Sequence, residues 1–366
     1  MLSKEVDQEA RQEIRLALPS KGRLAEEALE MLERAGLQVY KPNPRQYRAV
    51  IPALPGLAVL FQRPGDIVTS VRDGSVDFGV TGWDVFCERK GENGDMLALL
   101  KELGVGHCKL NVIVPESWEA TRSMADLAAW QAKRGQALRV ATKFPNLTSA
   151  FFVERGITNL RMISAEGTLE IAPEIGYADV IVDLVSTGTT LRDNRLKRIE
   201  DGLILHSQAC LIANRAALKR RTEVLAMARQ LLEFIVAYLR AAENVSVFAN
   251  IRGDSPAGIA ERMFAQQVIG GLQGPTISPV VTREGGNWYA VHLVVRKDRL
   301  AQAIAELRQI GGSGVVVAPV LYIFEEEPQA YRELLAALED GIQGQKAMNA
   351  EQSLALADEP PAETGF

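Results

Sequence analysis

The chain is poor in the residues from which most metal and redox sites are built. It holds 3 cysteines and 3 histidines in 366 residues. Cys87, Cys108 and Cys210 share no metal-ligand spacing and suit the reduced thiols of a cytosol. His107, His206 and His292 are scattered, which argues against a histidine-based catalytic or zinc site. No apolar run is long enough to cross a bilayer, and the first 20 residues are charged and lack a signal-peptide core. A cytoplasmic protein without a membrane partner is expected. Excess basic charge is also missing: the net charge of -5 argues against a nucleic-acid partner. Attraction of polyanionic ligands must then come from local clusters of Lys and Arg.

What is present fits a soluble chain of two or three domains, 47% hydrophobic and 24% charged. Short apolar runs alternate with helical patterns, the signature of α/β layers. Strands are predicted at 14–17, 58–61, 76–80 and 110–114, with helices at 24–35 and 66–71. The 110–114 strand reads as returning across the first lobe. The pattern restarts with a helix at 123–134, then strands at 138–141, 161–164 and 180–185, with helices after Asn146 and from Thr168. A strand at 205–213 and a long helix at 217–243 follow. In each lobe an acidic residue precedes a strand (Asp77, Asp179) and a Gly/Thr turn closes it. Turns at the carboxyl ends of strands line the ligand crevice of open α/β sheets, so two facing lobes would share one cleft.

A third region reads strand, helix, two strands, helix, strand between 245 and 323, the order of a small ferredoxin-like domain. A short helical pattern at 331–338 follows, and the stretch 340–366, with Pro360 and Pro361, reads as a disordered tail.

The most informative segment is Asp183-Leu-Val-Ser-Thr-Gly-Thr-Thr-Leu191. It follows the apolar run 180–182 and turns from strand to helix, where backbone N–H groups and the helix dipole favour a phosphate. Ser186, Thr187, Thr189 and Thr190 add O–H donors, and Gly188 lets the backbone approach. Asp183 is placed to meet sugar hydroxyls or a divalent cation. A hydroxyl-rich turn with Ser or Thr as its N-cap is the plainer alternative.

This segment resembles the phosphoribosyl-pyrophosphate loop of ATP phosphoribosyltransferase, the first enzyme of histidine biosynthesis. Four further stretches resemble that family in the same order: Leu18-Pro-Ser-Lys-Gly-Arg-Leu24, 73–84, Val140-Ala-Thr-Lys-Phe-Pro-Asn146 and Gly167-Thr-Leu-Glu-Ile-Ala-Pro173. Gly253-Asp-Ser-Pro256 and Gly274-Pro-Thr-Ile-Ser-Pro279 resemble the extra C-terminal domain of the family's long form. One departure stands out: in Arg192-Asp-Asn-Arg-Leu196, Arg195 takes the place where a Gly commonly follows the Asn.

The resemblance implies a bilobal, periplasmic-binding-protein-like α/β core with a ferredoxin-like (ACT-like) regulatory domain. Lobe I would cover 14–115 and be completed by 208–245, lobe II 116–207, and the regulatory domain 246–325. The implied reaction is attack of N1 of ATP's adenine on C1 of phosphoribosyl pyrophosphate, releasing pyrophosphate. Mg²⁺ is expected with the pyrophosphate, through ligands that the sequence does not identify. Histidine is the implied feedback inhibitor, held by Asp254 and Thr276, and a homohexamer or homodimer the implied assembly.

Residue roles follow from the same motifs. The 5-phosphate falls to Ser186, Thr187, Gly188, Thr189 and Thr190, with Asp183 on the ribose. Lys21, Gly22, Arg23, Arg63, Asp77, Thr81 and Gly82 are candidates for ATP or polyphosphate contacts. Asp183, Glu170 and Arg23 are the candidate catalytic groups, Glu170 by stabilising cationic charge. No general base stands out. Plainer readings stay open: Arg63 as a surface ion pair, Asp77 as a turn residue, Asn146 as a helix cap and Asp254 as a cap of the helix after it. A nucleobase-type phosphoribosyltransferase and a non-catalytic bilobal binding protein are the alternative functions.

Overall fold

The computed structural model describes residues 12–43, 46–164, 169–186, 188–283 and 286–339. The chain forms two compact units. One runs to Leu232 and resumes at Gln329; the other is Glu233–Pro328.

The first unit begins β1 (Ile14–Pro19), α1 (Arg23–Arg34), β2 (Arg48–Val50), β3 (Leu57–Gln62), α2 (Pro64–Arg72), β4 (Phe78–Gly82), α3 (Trp83–Arg89) and β5 (Met96–Leu100). It continues β6 (Cys108–Pro115), α4 (Met124–Arg134), β7 (Leu138–Thr142), α5 (Pro145–Glu154), β8 (Leu160–Ser164), a 3-10 turn (Leu169–Ile171), β9 (Val180–Val185) and α6 (Thr189–Asp193). Then come β10 (Leu196–Ser207), β11 (Ala209–Asn214), α7 (Arg215–Arg220) and α8 (Thr222–Ala242), within which the first unit ends.

Two sheets result, ordered β2-β3-β1-β4-β11-β5 and β10-β6-β9-β7-β8. Their centres share one plan. In each, a first strand is flanked in parallel by the second and third, giving β3-β1-β4 and β8-β7-β9. In each, the third strand then meets an antiparallel strand, β11 beside β4 and β6 beside β9. The chain crosses between the sheets at 101–107 and again at Gln208, and the two crossings are bonded side by side, Leu103 N to Ala209 O and Ala209 N to Val105 O. This double crossing makes the bilobal α/β core.

The apolar periodicity explains the layers. Along α1, Ala25, Ala28, Met31 and Leu32 are buried at helical spacing, and Gly36 at φ 78 ends the run. In the second sheet Val112, Val140 and Val182 face one cluster, while Ile113, Ala141 and Ile181 face another. Both faces are therefore covered, as parallel sheets require. Each large side chain so buried contributes about 1.5–3 kcal/mol.

Four elements differ from the sequence reading, the first being the helix expected from Thr168, of which the described residues hold only the 3-10 turn Leu169–Ile171. The strand expected near 110–114 in the first lobe is β6, which lies in the second sheet, so that lobe's first segment ends before Cys108. The single strand expected at 205–213 is two strands in different sheets, divided at Gln208, whose carbonyl accepts from Trp83 N. Apolar runs show that a segment is a strand, but not which sheet it joins. The long helix expected at 217–243 breaks at Arg221, which is extended (φ -120, ψ 104) and directs its guanidinium to buried Asp77.

The second unit holds β12 (Asn244–Arg252), α9 (Pro256–Phe264), β13 (Thr276–Pro279), β14 (Trp288–Arg296), α10 (Leu300–Gln309) and β15 (Gly312–Pro319). The antiparallel order β13-β14-β12-β15 is ferredoxin-like. Val245, Val247, Ala249 and Ile251 alternate inward against Ile259, Met263, Ala303 and Leu307 of the helices. The chain then returns to the first unit as α11 (Gln329–Glu339), with Leu334 buried and Arg215 donating to Ala337 O at 2.8 Å. The tail expected at 340–366 lies outside the described residues. Among the described residues no helix is long and apolar enough to cross a membrane.

Candidate active site

The carboxyl ends of β1 and β3 lie level, with Pro19 paired to Gln62. The turn after β1 enters α1 through Gly22, whose φ of 80 suits glycine and which provides no side-chain cap. Lys21 and Arg23 flank it, both exposed. Arg23 is already engaged with the crossover between the sheets: it donates to His107 O at 2.9 Å and lies 3.5 Å from Glu27. Arg63 is exposed as the N-cap of α2.

The turn after β4 is closed. Thr81 is fully buried and gives its hydroxyl to Pro64 O at 3.1 Å. Any Cβ on Gly82 would clash with Asp84 Oδ1. Ser207, the last residue of β10, accepts from Asp84 N at 3.0 Å and donates to Asp84 Oδ1 at 2.5 Å. With Trp83 N bonded to Gln208 O, the first donors of α3 are taken by the protein itself. Asp77 is a clearer correction. It stands at the amino end of β4, fully buried, accepting from Arg15 N at 2.8 Å and Arg221 at 3.1 Å. Its place is a structural one at the opposite end of the strand from the turns. The structure thus brings neither Asp77 nor Thr81 to an open surface.

In the second lobe the turn after β7 is also self-satisfied. Thr142 accepts from Phe144 N at 3.0 Å, and Asn146 N and Leu147 N donate to the two carboxylate oxygens of Glu88, from α3, at 2.9 and 3.0 Å. Asn146 therefore receives a cap from Glu88 instead of providing one.

The turn after β9 differs. Gly188 has φ 75, caps α6 without a side chain, and a Cβ added there would touch only Val185 at 3.9 Å. Ser186 and Thr190 are exposed. Thr187 lies outside the described residues. Thr189 starts α6, and Glu170 is half-buried in the 3-10 turn.

Electrostatics tie the two edges together. Burial raises the Asp183 carboxyl, the Leu184 N–H and Lys143 lower it, and Glu170 and Asp84 raise it again. Asp84 is likewise raised by burial, against its Ser207 hydrogen bond. The Cys108 thiol is pushed up to about 11, chiefly by burial and then by Asp84, with Arg23 lowering and Asp183 raising it. One thiol thus feels Arg23 and Asp84 of one lobe and Asp183 of the other.

Among the described residues no group of three or more His, Cys, Asp or Glu could hold a metal ion. In the second unit a pocket of about 820 Å³ is lined by Asp254, Ser255, Arg262, Asn287 and Trp288, among others. Ser255, not Asp254, caps α9, accepting from Gly258 N at 3.1 Å. Asp254 is left exposed to the pocket. Thr276 does not line that pocket: it pairs with His292 on β14, four residues along the strand from Trp288. The structure does not bring Asp254 and Thr276 together within one chain.

Sequence reasoning missed Glu88, Ser207 and Arg221. Each is an ordinary polar residue by pattern, and the only hint was Glu88 one helical turn after Asp84.

A family model described as ATP phosphoribosyltransferase matches residues 63–235, and one described as HisG, C-terminal domain, matches residues 241–322. ATP phosphoribosyltransferase 2, chloroplastic, of Arabidopsis thaliana is 42% identical over 337 residues, covering 90% of this chain and 81% of that protein. An ATP phosphoribosyltransferase of Nitrobacter winogradskyi is 36% identical over 324 residues, 87% of this chain and 96% of its own. One of Brucella anthropi is 46% identical over 219 residues, 58% of this chain but 95% of its own.

Proposed function

This chain belongs to the ATP phosphoribosyltransferase family, transferases of histidine biosynthesis, and from that premise we propose how its cleft is used. Phosphoribosyl pyrophosphate sits on the second lobe, its 5-phosphate in the turn Ser186–Thr190 and its ribose hydroxyls on Asp183. ATP lies toward the first lobe, with Lys21, Arg23 and Arg63 on the polyphosphates. The observation that carries this reading is the contrast among the turns. A side chain at Gly82 would run into Asp84, and the turn after β7 is held by Glu88, whereas Gly188 has the left-handed form and room for a ligand's approach.

The N1–C1 bond forms as the C1–O bond breaks, and pyrophosphate leaves with the electron pair. Arg23 and Lys21 offset the charge that grows on it, and Glu170 and Asp183 face the cationic ribosyl and adenine atoms. Arg23 must leave the His107 carbonyl to do so. Mg²⁺ is proposed to arrive with the polyphosphate, holding few protein ligands; Asp183 is the carboxylate placed to provide one. When bound, it would supply charge neutralisation to the leaving group.

Histidine inhibition is proposed to act through the second unit, with Asp254 receiving the ammonium in its pocket. Thr276 then belongs to the same site only if a second copy brings it there, which fits the proposed homohexamer or homodimer. A protein of the family's name in Brucella anthropi matches 58% of this chain over 95% of its own length, so the family's name does not require the whole of a chain this long. The cytoplasm is the proposed compartment, although the Arabidopsis relative's name reads chloroplastic.

A pyrophosphate-release assay comparing ATP with free nucleobases tests the substrate pair. Turnover with ATP alone is expected, and turnover with a nucleobase alone would favour the nucleobase-type reading. Calorimetry with millimolar histidine tests regulation. Binding that Asp254→Ala weakens is expected, and absence of binding in the unmodified chain removes the regulatory role.

A further inference from the structure

Two acids lie one turn apart on α3, and both are buried, Asp84 at 3% and Glu88 at 8% exposure. Both reach across the boundary between the sheets. Asp84 bonds Ser207 at the end of β10, and Glu88 bonds the first two amides of α5. The Asn146 side-chain amide closes the contact from the other side, donating to the Glu88 carbonyl at 3.1 Å.

The second contact is one that α5 cannot replace locally. Its N-cap is Phe144, whose side chain has no acceptor, and Pro145 at the first helical position has no N–H. Asn146 and Leu147 are therefore the first donors of the helix. A carboxylate with one oxygen for each is the strongest partner they can have, since both bonds are charge-assisted and aligned with the helix dipole. Directly before this helix stands Lys143, the cation that lowers the proton affinity of Asp183. Whatever holds the amino end of α5 also holds Lys143 relative to Asp183.

We propose that Glu88 is a positioning residue for the transfer: by capping α5 from the other lobe, it fixes the Lys143 turn and the gap across which the two substrates meet. This rests on the reading that the substrates occupy opposite edges of the cleft. Proximity then dictates the kinetic signature. Each substrate keeps its own binding surface, while the bond-forming distance loosens, and a displacement near 1 Å can cost about 10²-fold in rate.

The test compares Glu88→Gln, Glu88→Asp and the exposed control Glu92→Gln in the full chain. Glu88→Gln keeps the size but offers one acceptor to two amides, and Glu88→Asp keeps the charge but shortens the reach. Both are expected to lower kcat about ten-fold or more with either KM changed less than about two-fold. Hydrogen exchange at the Asn146 and Leu147 amides should accelerate about ten-fold or more in both variants and not in the control. A wild-type kcat in Glu88→Asp overturns the proposal, because charge alone would then suffice. A kcat loss that only tracks the unfolded fraction by circular dichroism, with exchange at these amides unchanged, overturns it as well. Gly188→Val, measured alongside, separates the two ideas. Its normal turnover would remove the phosphate reading, whereas the exchange result at Asn146 and Leu147 is read without any substrate.

Discussion

After β4 the chain enters α3 through Thr81 and Gly82; after β9 it enters α6 through a turn that ends at Gly188. The strands hold equivalent places in two sheets of the same order. In the first lobe Gly82 is pressed against Asp84 and the helix donors are bonded to Ser207 and Gln208. In the second, a Cβ on Gly188 would meet, among the described residues, only Val185 at ordinary contact distance. A shared fold offers the same helix terminus twice, and the proposed function assigns the ligand to the second, where the entry glycine is not pressed by a carboxylate. The opposite ends of these two strands show the converse. Asp77 accepts from Arg15 N and Asp179 from Arg139 N, each just before its strand and each bonded to the neighbouring first strand of its lobe. There the lobes are alike, because the requirement is structural in both.

That likeness gives the largest expected effect. Asp77→Ala strands the Arg15 amide and the Arg221 guanidinium, whose side chain is only 16% exposed. Breaking such a pair costs about 3 kcal/mol, the low end for buried pairs because Arg221 keeps Glu223 as a partner. The thermal transition should fall by about 6–12 °C. Kinetic constants of the folded fraction should stay unchanged. A selective rise in KM for ATP would break the comparison and return Asp77 to the cleft.

The next effect separates the two glycines. Gly188→Val should lower kcat/KM for phosphoribosyl pyrophosphate at least about 10²-fold, some 2.7 kcal/mol, with the fold retained. Gly82→Ala should show the reverse, a loss of stability of about 1–3 kcal/mol from overpacking against Asp84. Pyrophosphate release and urea unfolding of both variants read the contrast. Equal kinetic losses at both glycines would mean that both turns hold substrate.

The strand β9 carries its own comparison, between Asp179 at its start and Asp183 at its end. Burial pushes the Asp179 carboxyl up, but its bonds from Arg139 and Arg134 outweigh this and hold it below the ordinary range. Its stabilising effect is present above the unfolded-chain pKa and is lost as pH falls through the lowered folded value. Asp183 is shifted the other way, so acid relieves rather than harms it. Asp179→Asn should therefore cost about 1–2 kcal/mol at neutral pH, less than Asp77 because its arginines are more exposed, and the loss should shrink in acid. Asp183→Asn should leave neutral-pH stability unchanged or higher while reducing turnover. Urea midpoints from pH 7 downward, set beside turnover, check both signs.

Much of this was legible in the chain. The acids before the strands, the Gly/Thr turns and the glycine entry at 188 are local features, and local chemistry decides them. What the residues could not show was where chemistry is already satisfied. Thr81 reads as a phosphate donor until Pro64 O takes its hydroxyl, and Asp77 as a ligand until Arg221 arrives from a helix break more than a hundred residues away. The transfer of 108–115 to the second sheet was hidden for a similar reason, since alternation fixes a strand's faces and not its partner.

The smallest effect concerns how the two equivalent helices end. α3 closes through Lys90 into Gly91 at φ 69, the left-handed residue that commonly stops a helix. α6 closes through Asn194 into Arg195 at φ 53, the one non-glycine residue with positive φ among the described residues. This is also the position where the family's wording commonly has glycine. The left-handed form costs a residue with a Cβ about 1–2 kcal/mol. It persists here because Arg195 O accepts from Glu116 N at 2.8 Å and so ties the start of β10 to the end of β6. Arg195→Gly should relieve that cost but loosen the unfolded chain by about 0.5–1 kcal/mol, leaving a net gain near 0.5 kcal/mol. The midpoint of urea unfolding should rise slightly, with turnover unchanged because the residue lies beyond the proposed phosphate donors. A loss of more than about 1 kcal/mol would mean that the Arg195 side chain holds the fold in a way its exposed position does not suggest. A loss of turnover at unchanged stability would place the exit of α6, and not only its entry, in the work of the second lobe.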